Sequence, residues 1–404
     1  MSQLASTPFS NPAASRKSTT AFVVVQILLA SACGAAFVIQ PTENRSRHEP
    51  LLITQPVTIG PLYNDPRVVA DDQLVRVLAK LRPRFRHAQP KINHVDHALR
   101  CWGVNVEFAD ERFISGNEMR RLLTDHEAFK SAWGEKTRPL LQMKEHGVSV
   151  RTQQGDSTAS HVDHTLATLA EVGTPLDFPI RLAGSGATLR DVLNQAVSSF
   201  EINQHEYEWT VLALSLYVQD GRPWFTREGD RIDFDRLAHR IVRQRYGQGV
   251  CYGNHRLYSL AMLLRVDESR KLLSTSVRQD VIEHLSKATQ LLVANQNEEG
   301  FWDRNWHDLK VEAKDEDMAL GGPLARRILA TGHALEWWAM VPHQNQSQLQ
   351  PHRDVVVKAA QWLVREIEQM DEKAIDANYT FLSHAGRALA LWRGTEPALV
   401  NINE

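Results

Sequence analysis

Between Asp71 and Arg393 the chain repeats apolar residues at helical spacing, and stretches that alternate apolar with polar residues are scarce. That pattern constrains the body to an all-α fold. The helical segments are 71–87, 90–103, 116–125, 157–172, 187–200, 205–218, 234–246, 252–266, 276–295, 325–340, 353–370 and 379–393. In 276–295, for example, Val281, Ile282, Leu285, Ala288, Leu291 and Leu292 share one face. Asp71, Ser157, Thr188 and Asp233 stand where N-caps belong. Twelve such segments in residues 71–404 predict paired helices: six hairpins closed into an α/α toroid around a central cavity. A superhelical array of helix pairs is the competing layout. No strict repeat period is visible, which favours the closed ring. The one sharp internal echo is His-Val-Asp-His, at 94–97 and again at 161–164.

The segment ahead of this body reads as targeting. Residues 1–20 form a polar arm ending near Arg16 and Lys17. Residues 21–39 carry no charge and as a helix would be about 28 Å long, enough for a transmembrane anchor. A cleaved signal sequence competes, because Ala30, Ser31 and Ala32 offer small residues for processing, and 29–33 loosely resembles a bacterial lipoprotein processing site. Residues 40–70, with Pro41, Pro50, Pro56, Pro61 and Pro66, read as a linker or packing arm, and 71–404 as the toroid domain. Arg16 and Lys17 before the apolar run are matched by Arg45 and Arg47 after it, so charge sets no orientation. A short N-terminal side and a long C-terminal domain suit a signal anchor with the domain outside the cytoplasm, on the periplasmic side of a bacterial inner membrane. With 46 basic and 48 acidic residues, no global excess points to nucleic acid. Three cysteines cannot make a disulfide scaffold.

Histidine is over-used, at 17 residues, and it recurs where candidate helices begin. His161 and His164 flank Asp163. His205 precedes Glu206, Glu208 and Trp209. Cys251 is followed by His255 and Tyr258. His333 precedes Glu336, Trp337 and Trp338, and His384 precedes Arg387. If alternate helices of a toroid point the same way, these ends meet at one mouth. The expected catalytic groups are His255, His333, Glu336 and His384, and the expected ligand-binding groups His164, His205, Glu208, Trp209, Tyr258, Trp337 and Arg387. For any one of these histidines, capping its own helix is the simpler role. Cys251 and His255, four apart, could share a zinc ion; His94, His97 and Cys101 also fall on one helix face. No CxxC pair and no HExxH motif is present, so a closed structural zinc site is not expected. The phosphate-loop and GxSxG signatures are missing too.

Two family resemblances attach to particular residues. Leu291 to Trp302, with Gln296, Gly300 and Trp302, resembles the helix-end repeat of terpenoid cyclases and protein prenyltransferases. Gly249-Val250-Cys251-Tyr252-Gly253 resembles the prenyltransferase segment with a zinc-binding cysteine, and also a cysteine motif of lanthionine cyclases. The prenyltransferase aspartate is Gly249 here, and the cyclases' aspartate-rich acid motif is missing. This resemblance implies a toroid with a His/Cys/Trp-lined cleft for a small or lipid-like ligand. Gly332-His333-Ala334-Leu335-Glu336-Trp337 and 384–389 resemble segments of the N-acylglucosamine 2-epimerase family. That likeness implies an α/α barrel in which His333 and His384 exchange protons at a sugar carbon. A third reading is a non-catalytic scaffold tethered to the membrane.

Overall fold

The computed structural model describes residues 24–27, 29, 31, 49–86, 89–310 and 322–402. The chain divides into a unit of residues 1–48 and a compact unit of residues 49–404. Most of the expected span 21–39 lies outside the described residues, as do the arm 1–20 and the start of the linker. Among the described residues no helix is long and apolar enough to cross a membrane.

The compact unit is mostly helical. Its helices are α1 (Asp71–Lys80), α2 (Ile92–Trp102), α3 (Gly116–Thr124), α4 (His126–Trp133), α5 (His164–Glu171), α6 (Leu189–Ser199), α7 (Glu208–Tyr217) and α8 (Phe234–Val242). Then come α9 (Asn254–Arg270), α10 (Thr275–Ala294), α11 (Gly322–Ala339), α12 (Gln346–Leu349), α13 (Arg353–Gln369), α14 (Glu372–Ala377) and α15 (Tyr379–Trp392). Three antiparallel hairpins fill connections: Leu141–Lys144 with Gly147–Val150, Pro179–Arg181 with Gly186–Thr188, and Trp224–Phe225 with Arg231–Ile232.

Each segment expected to be helical contains a helix, but several are shorter. The first stops at Lys80 because Pro83 follows, and a proline disfavours helix both at its own position and at the residue before it. The fourth starts only at His164. Its N-cap is Asp163, in left-handed backbone at φ 56, so Ser157 caps nothing here. Asp233 does cap α8, accepting from the Arg236 amide at 2.8 Å, and Thr188 closes a capping box with Asp191. Ala70, not Asp71, is the N-cap of α1. The arm from Glu49 packs against the body: Tyr63, Val68 and Val69 are core residues, and the Ile53 amide donates to the Tyr217 carbonyl at 2.8 Å.

Burial separates two kinds of helix. All ten residues of α7 are buried, which fits its apolar, all-round sequence, and most residues of α9 and α11 are buried as well. By contrast α8 buries only Phe234, Leu237, Ala238 and Ile241. The buried helices contact one another in succession: α2 meets α5, α5 meets α7, α7 meets α9, α9 meets α11, α11 meets α15, and α15 meets α2 again.

The turn after α10 shows how the layers are tied. Gln296 donates through Nε2 to the carbonyls of Gly300 and Val355, both at 2.9 Å, and Trp302 donates through Nε1 to the Leu292 carbonyl at 2.8 Å. Gly300 adopts φ +111, and a Cβ there would lie 2.5 Å from the Lys358 carbonyl oxygen of α13. Both the dihedral and the backbone contact exclude a side chain. Gly300→Ala is therefore expected to lower unfolding free energy by about 1–3 kcal/mol in denaturant titration. Gly60→Ala, with nothing within 4 Å of the added methyl, should leave the midpoint nearly unchanged.

Candidate functional site

Six buried helices each contribute one ring to a central circle. His97 (α2) faces His164 (α5) at 4.6 Å between centroids; His164 faces Trp209 (α7) at 4.4 Å; Trp209 faces His255 (α9) at 4.5 Å. His255 then meets His333 (α11) at 4.8 Å, His333 meets His384 (α15) at 3.8 Å, and His384 returns to His97 at 5.2 Å. All six are buried. His161 lies at the margin, 5.7 Å from both His164 and His255, its Nδ1 2.8 Å from Glu206 Oε2.

One turn further along the same helices lies a second layer. His97 is followed at i+3 by Arg100, His255 by Tyr258, His333 by Glu336 and His384 by Arg387; His164 is followed at i+7 by Glu171. Residues three, four or seven apart share a helix face, so each helix presents a ring and then a charged or phenolic group to the centre. Arg100 donates to Glu171 at 2.7 Å and to Glu336 at 2.8 Å. Arg387 donates to Glu336 at 2.6 Å and to Glu171 at 3.3 Å. The Tyr258 hydroxyl donates to Glu171, and Arg100 lies 4.5 Å over the Tyr258 ring. Two guanidinium groups thus balance two carboxylates.

Electrostatics follows from this layering. Burial alone would raise the Glu336 carboxyl, but Arg100 and His384 override it and hold it well below the usual range. Burial pushes His97, His164, His255 and His384 well below the ordinary imidazole value, reinforced by neighbouring imidazoles, so these rings are neutral. Glu208 is pushed up by burial against the pull of Arg256, and neither carboxylate oxygen has a hydrogen-bond partner. Asp96 is raised to about 7 by burial.

The repeated His-Val-Asp-His is structural. Asp96 accepts from Thr165 Oγ1 on α5 at 2.8 Å, and Asp163 accepts from Thr210 Oγ1 on α7 at 2.6 Å. Each aspartate ties its helix to the next, which sets the following histidine against its neighbour.

The structure gathers His164, Trp209, His255, Tyr258, His333, Glu336, His384 and Arg387, as expected. It does not gather His205, which is exposed ahead of α7, or Trp337, whose ring partner is Trp338 in the apolar core. The expected clustering at helix starts holds for His164, Glu208 and His255. His333 and His384 sit within α11 and α15, since those helices begin well before them. His94 packs on Phe85 and Tyr379, away from the ring, and Cys101 lies in the core with its thiol pushed up to about 12. His97, expected only as a partner of His94 and Cys101, belongs instead to the ring, and the residues missed are Arg100 and Glu171. A histidine followed three residues later by Arg, Tyr, Glu or Arg was the available signal.

Several strained backbone positions border the ring. Asp163, Glu206, Cys251 and Tyr252 have positive φ although none is glycine, as do Gln89, Gln153 and Lys271 elsewhere. Cys251 and Tyr252 sit together in the turn Val250–Gly253 that leads into α9. Such conformations cost free energy and persist where the surroundings over-determine them.

Among the described residues two groups have ligand atoms close enough to hold one metal ion: Cys251, His255 and His333, and His333, Glu336 and His384. In the second, Glu336 Oε1 already accepts from both arginines, and Oε2 from His384 Nδ1 at 2.8 Å. In the first, both ring nitrogens of His255 lack a protein partner. The first set is the better cradle.

Glu336→Gln is expected to cost about 3–5 kcal/mol of stability, because Arg100 and Arg387 would share one remaining carboxylate. Glu372→Gln, at an exposed partner of Arg84, should leave the denaturation midpoint unchanged. Acid provides a second check. Burial lowers His94 to about 4, so from the unfolded value near 6.5 down to 4 the unfolded chain binds a proton that the native ring refuses. Stability should therefore fall as pH drops through that window. His94→Phe should flatten the fall by about 1.4 kcal/mol per pH unit. No family model, curated protein or solved structure matches this chain, so the ring and its second layer are what carry a functional reading.

Proposed function

We propose that the chain is an α/α-toroid enzyme whose inner helices hold a zinc-type divalent metal through Cys251, His255 and His333, next to a pocket for a small polar substrate. The ring reading of the fold is supported by the succession of buried helices that returns to its start. The observation that carries the metal reading is the convergence of one thiol and two imidazoles from a strained turn and two helices, their ligand atoms within 4.8 Å of one another.

The donor set suits the ion. One sulfur and two nitrogens are soft-to-borderline ligands, and three protein ligands are the usual complement of a catalytic rather than a structural site. When bound, zinc supplies a Lewis acid with a fourth position for substrate. The chain supplies the rest. Burial keeps His255 neutral and able to donate a lone pair. Cys251 is held as a thiol by burial and by Glu206, Glu208 and Glu336, so it must release its proton to ligate. Glu336 fixes His384 with Nδ1 protonated, leaving Nε2 as a base beside the cradle. Tyr258, Arg387 and Arg100 stand one turn beyond the rings on the same helices.

This reading is favoured over the alternatives on specific grounds. His333 and His384 are 3.8 Å apart between centroids, which leaves no room for a sugar ring between two exchanging bases. A lipid-like ligand of prenyltransferase type would need an apolar cleft, whereas this centre is imidazole, guanidinium and carboxylate. A scaffold has no use for buried imidazoles with unpaired nitrogens, each of which costs free energy. Anchoring through residues 21–39, with the body outside the cytoplasm, belongs to the same proposal and rests on sequence alone.

The test is metal content of the full chain by plasma mass spectrometry after dialysis. About one equivalent of zinc is expected, falling at least tenfold in Cys251→Ser and in His333→Ala but not in His205→Ala. Cobalt replacement should give a thiolate charge-transfer band that Cys251→Ser abolishes. A folded protein that takes up neither metal ends the proposal.

A further inference from the structure

His161 is the imidazole of this centre that solvent reaches. Its side chain is 13% exposed, whereas each of the six ring members is 2% exposed or less. In the cradle Cys251 is half-buried and His255 and His333 are buried, so the cradle opens on its Cys251 side. His161 stands at that opening: its ring centroid is 5.7 Å from that of His255, and the charge of its partner Glu206 is felt at Cys251.

Hydrogen bonding fixes the His161 tautomer. Nδ1 lies 2.8 Å from Glu206 Oε2. The carboxylate accepts, so Nδ1 carries the proton and Nε2 keeps a bare lone pair. An imidazole held through one nitrogen by a carboxylate is how metal-binding histidines are usually oriented. Among the described residues no lysine or arginine pairs with Glu206; Gln153 Nε2 also donates to it, at 3.5 Å. Its charge is therefore left for a cation. The backbone is strained at both partners, with φ 56 at Glu206 and φ 56 at Asp163, two residues from His161. Capping does not account for His161, because the N-cap of α5 is Asp163. Nor is it a resident ligand: no metal-competent group among the described residues includes it.

We infer that His161 and Glu206 form an entry site for the metal, where an incoming zinc-type dication is captured on His161 Nε2 before it passes to Cys251, His255 and His333. The inference rests on the metal reading above and adds the route by which the ion arrives. The uncompensated carboxylate draws cations to the opening. In the transfer the ion keeps its charge, His161 Nε2 regains its lone pair, and the Cys251 thiol gives its proton to solvent as its bond to the metal forms.

The experiment mixes metal-free full chain rapidly with cobalt(II), follows the thiolate charge-transfer band, and measures final metal content by plasma mass spectrometry. His161→Ala should slow the band by about tenfold or more while final content stays at the wild-type value. Glu206→Gln should also slow uptake and flatten its dependence on salt. His161→Cys, which restores a metal-binding side chain, should recover most of the rate, and His205→Ala should match wild type. The inference is overturned if His161→Ala fills at the wild-type rate, if its final content falls, which would make His161 a resident ligand, or if His161→Cys is as slow as His161→Ala. Should His161→Ala not fold, Glu206→Gln decides: uptake at the wild-type rate overturns the inference. Unchanged rates in the variants remove this inference alone; a wild-type chain that takes up no metal removes the metal reading, and the route with it.

Discussion

Everything in the centre leans on four charges locked between helices. Arg100 and Arg387 reach across to Glu171 and Glu336, and each carboxylate takes both guanidinium groups. Such a buried set offers little net stability, since removing the ions from water costs several kcal/mol each. What it does provide is registry. The groups come from α2, α5, α11 and α15, and only one rotation of each helix lets all four meet. That same rotation turns His97, His333 and His384, one turn away, and His164, two turns away, inward.

The charge layer also sets the chemistry of the ring layer. An ionised Glu336 can only accept, so it dictates which nitrogen of His384 keeps the proton. The balanced pairs leave no surplus charge to protonate the imidazoles, and burial does the rest. Neutral imidazoles with bare nitrogens are what a metal ion requires, and a set of charged rings would repel it.

Much of this was legible from residue order. The periodicity of apolar positions located the long helices, because burying an apolar face is what stabilises a helix of that length. The short α4, α12 and α14 and the three hairpins escaped, since their few residues carry no period and tertiary contacts decide them. The histidine segments pointed to one centre, and His164, His255, His333 and His384 are there. His205 misled because it stands just before the helix start, where the chain has not yet turned inward. Trp337 misled because one residue past Glu336 is about 100° around the helix, facing the core. Arg100 and Glu171 were invisible one at a time: an arginine or glutamate in an amphipathic helix usually faces water, and only the partner charge from a distant segment brings it inside.

The spacing of rings and charges has a consequence for how this chain can vary. Adding or deleting one residue inside α2, α5, α9, α11 or α15 would swing everything beyond it by about 100°. Both tiers on that helix could not then stay aligned, and no neighbour duplicates what it carries. Length changes are therefore expected in the connections between helices, such as the hairpin Leu141–Lys144 with Gly147–Val150. Divergent copies of this chain should accordingly differ in their loops by many residues while the intervals between His97, Arg100, His255, Tyr258, His333, Glu336, His384 and Arg387 within each helix stay constant.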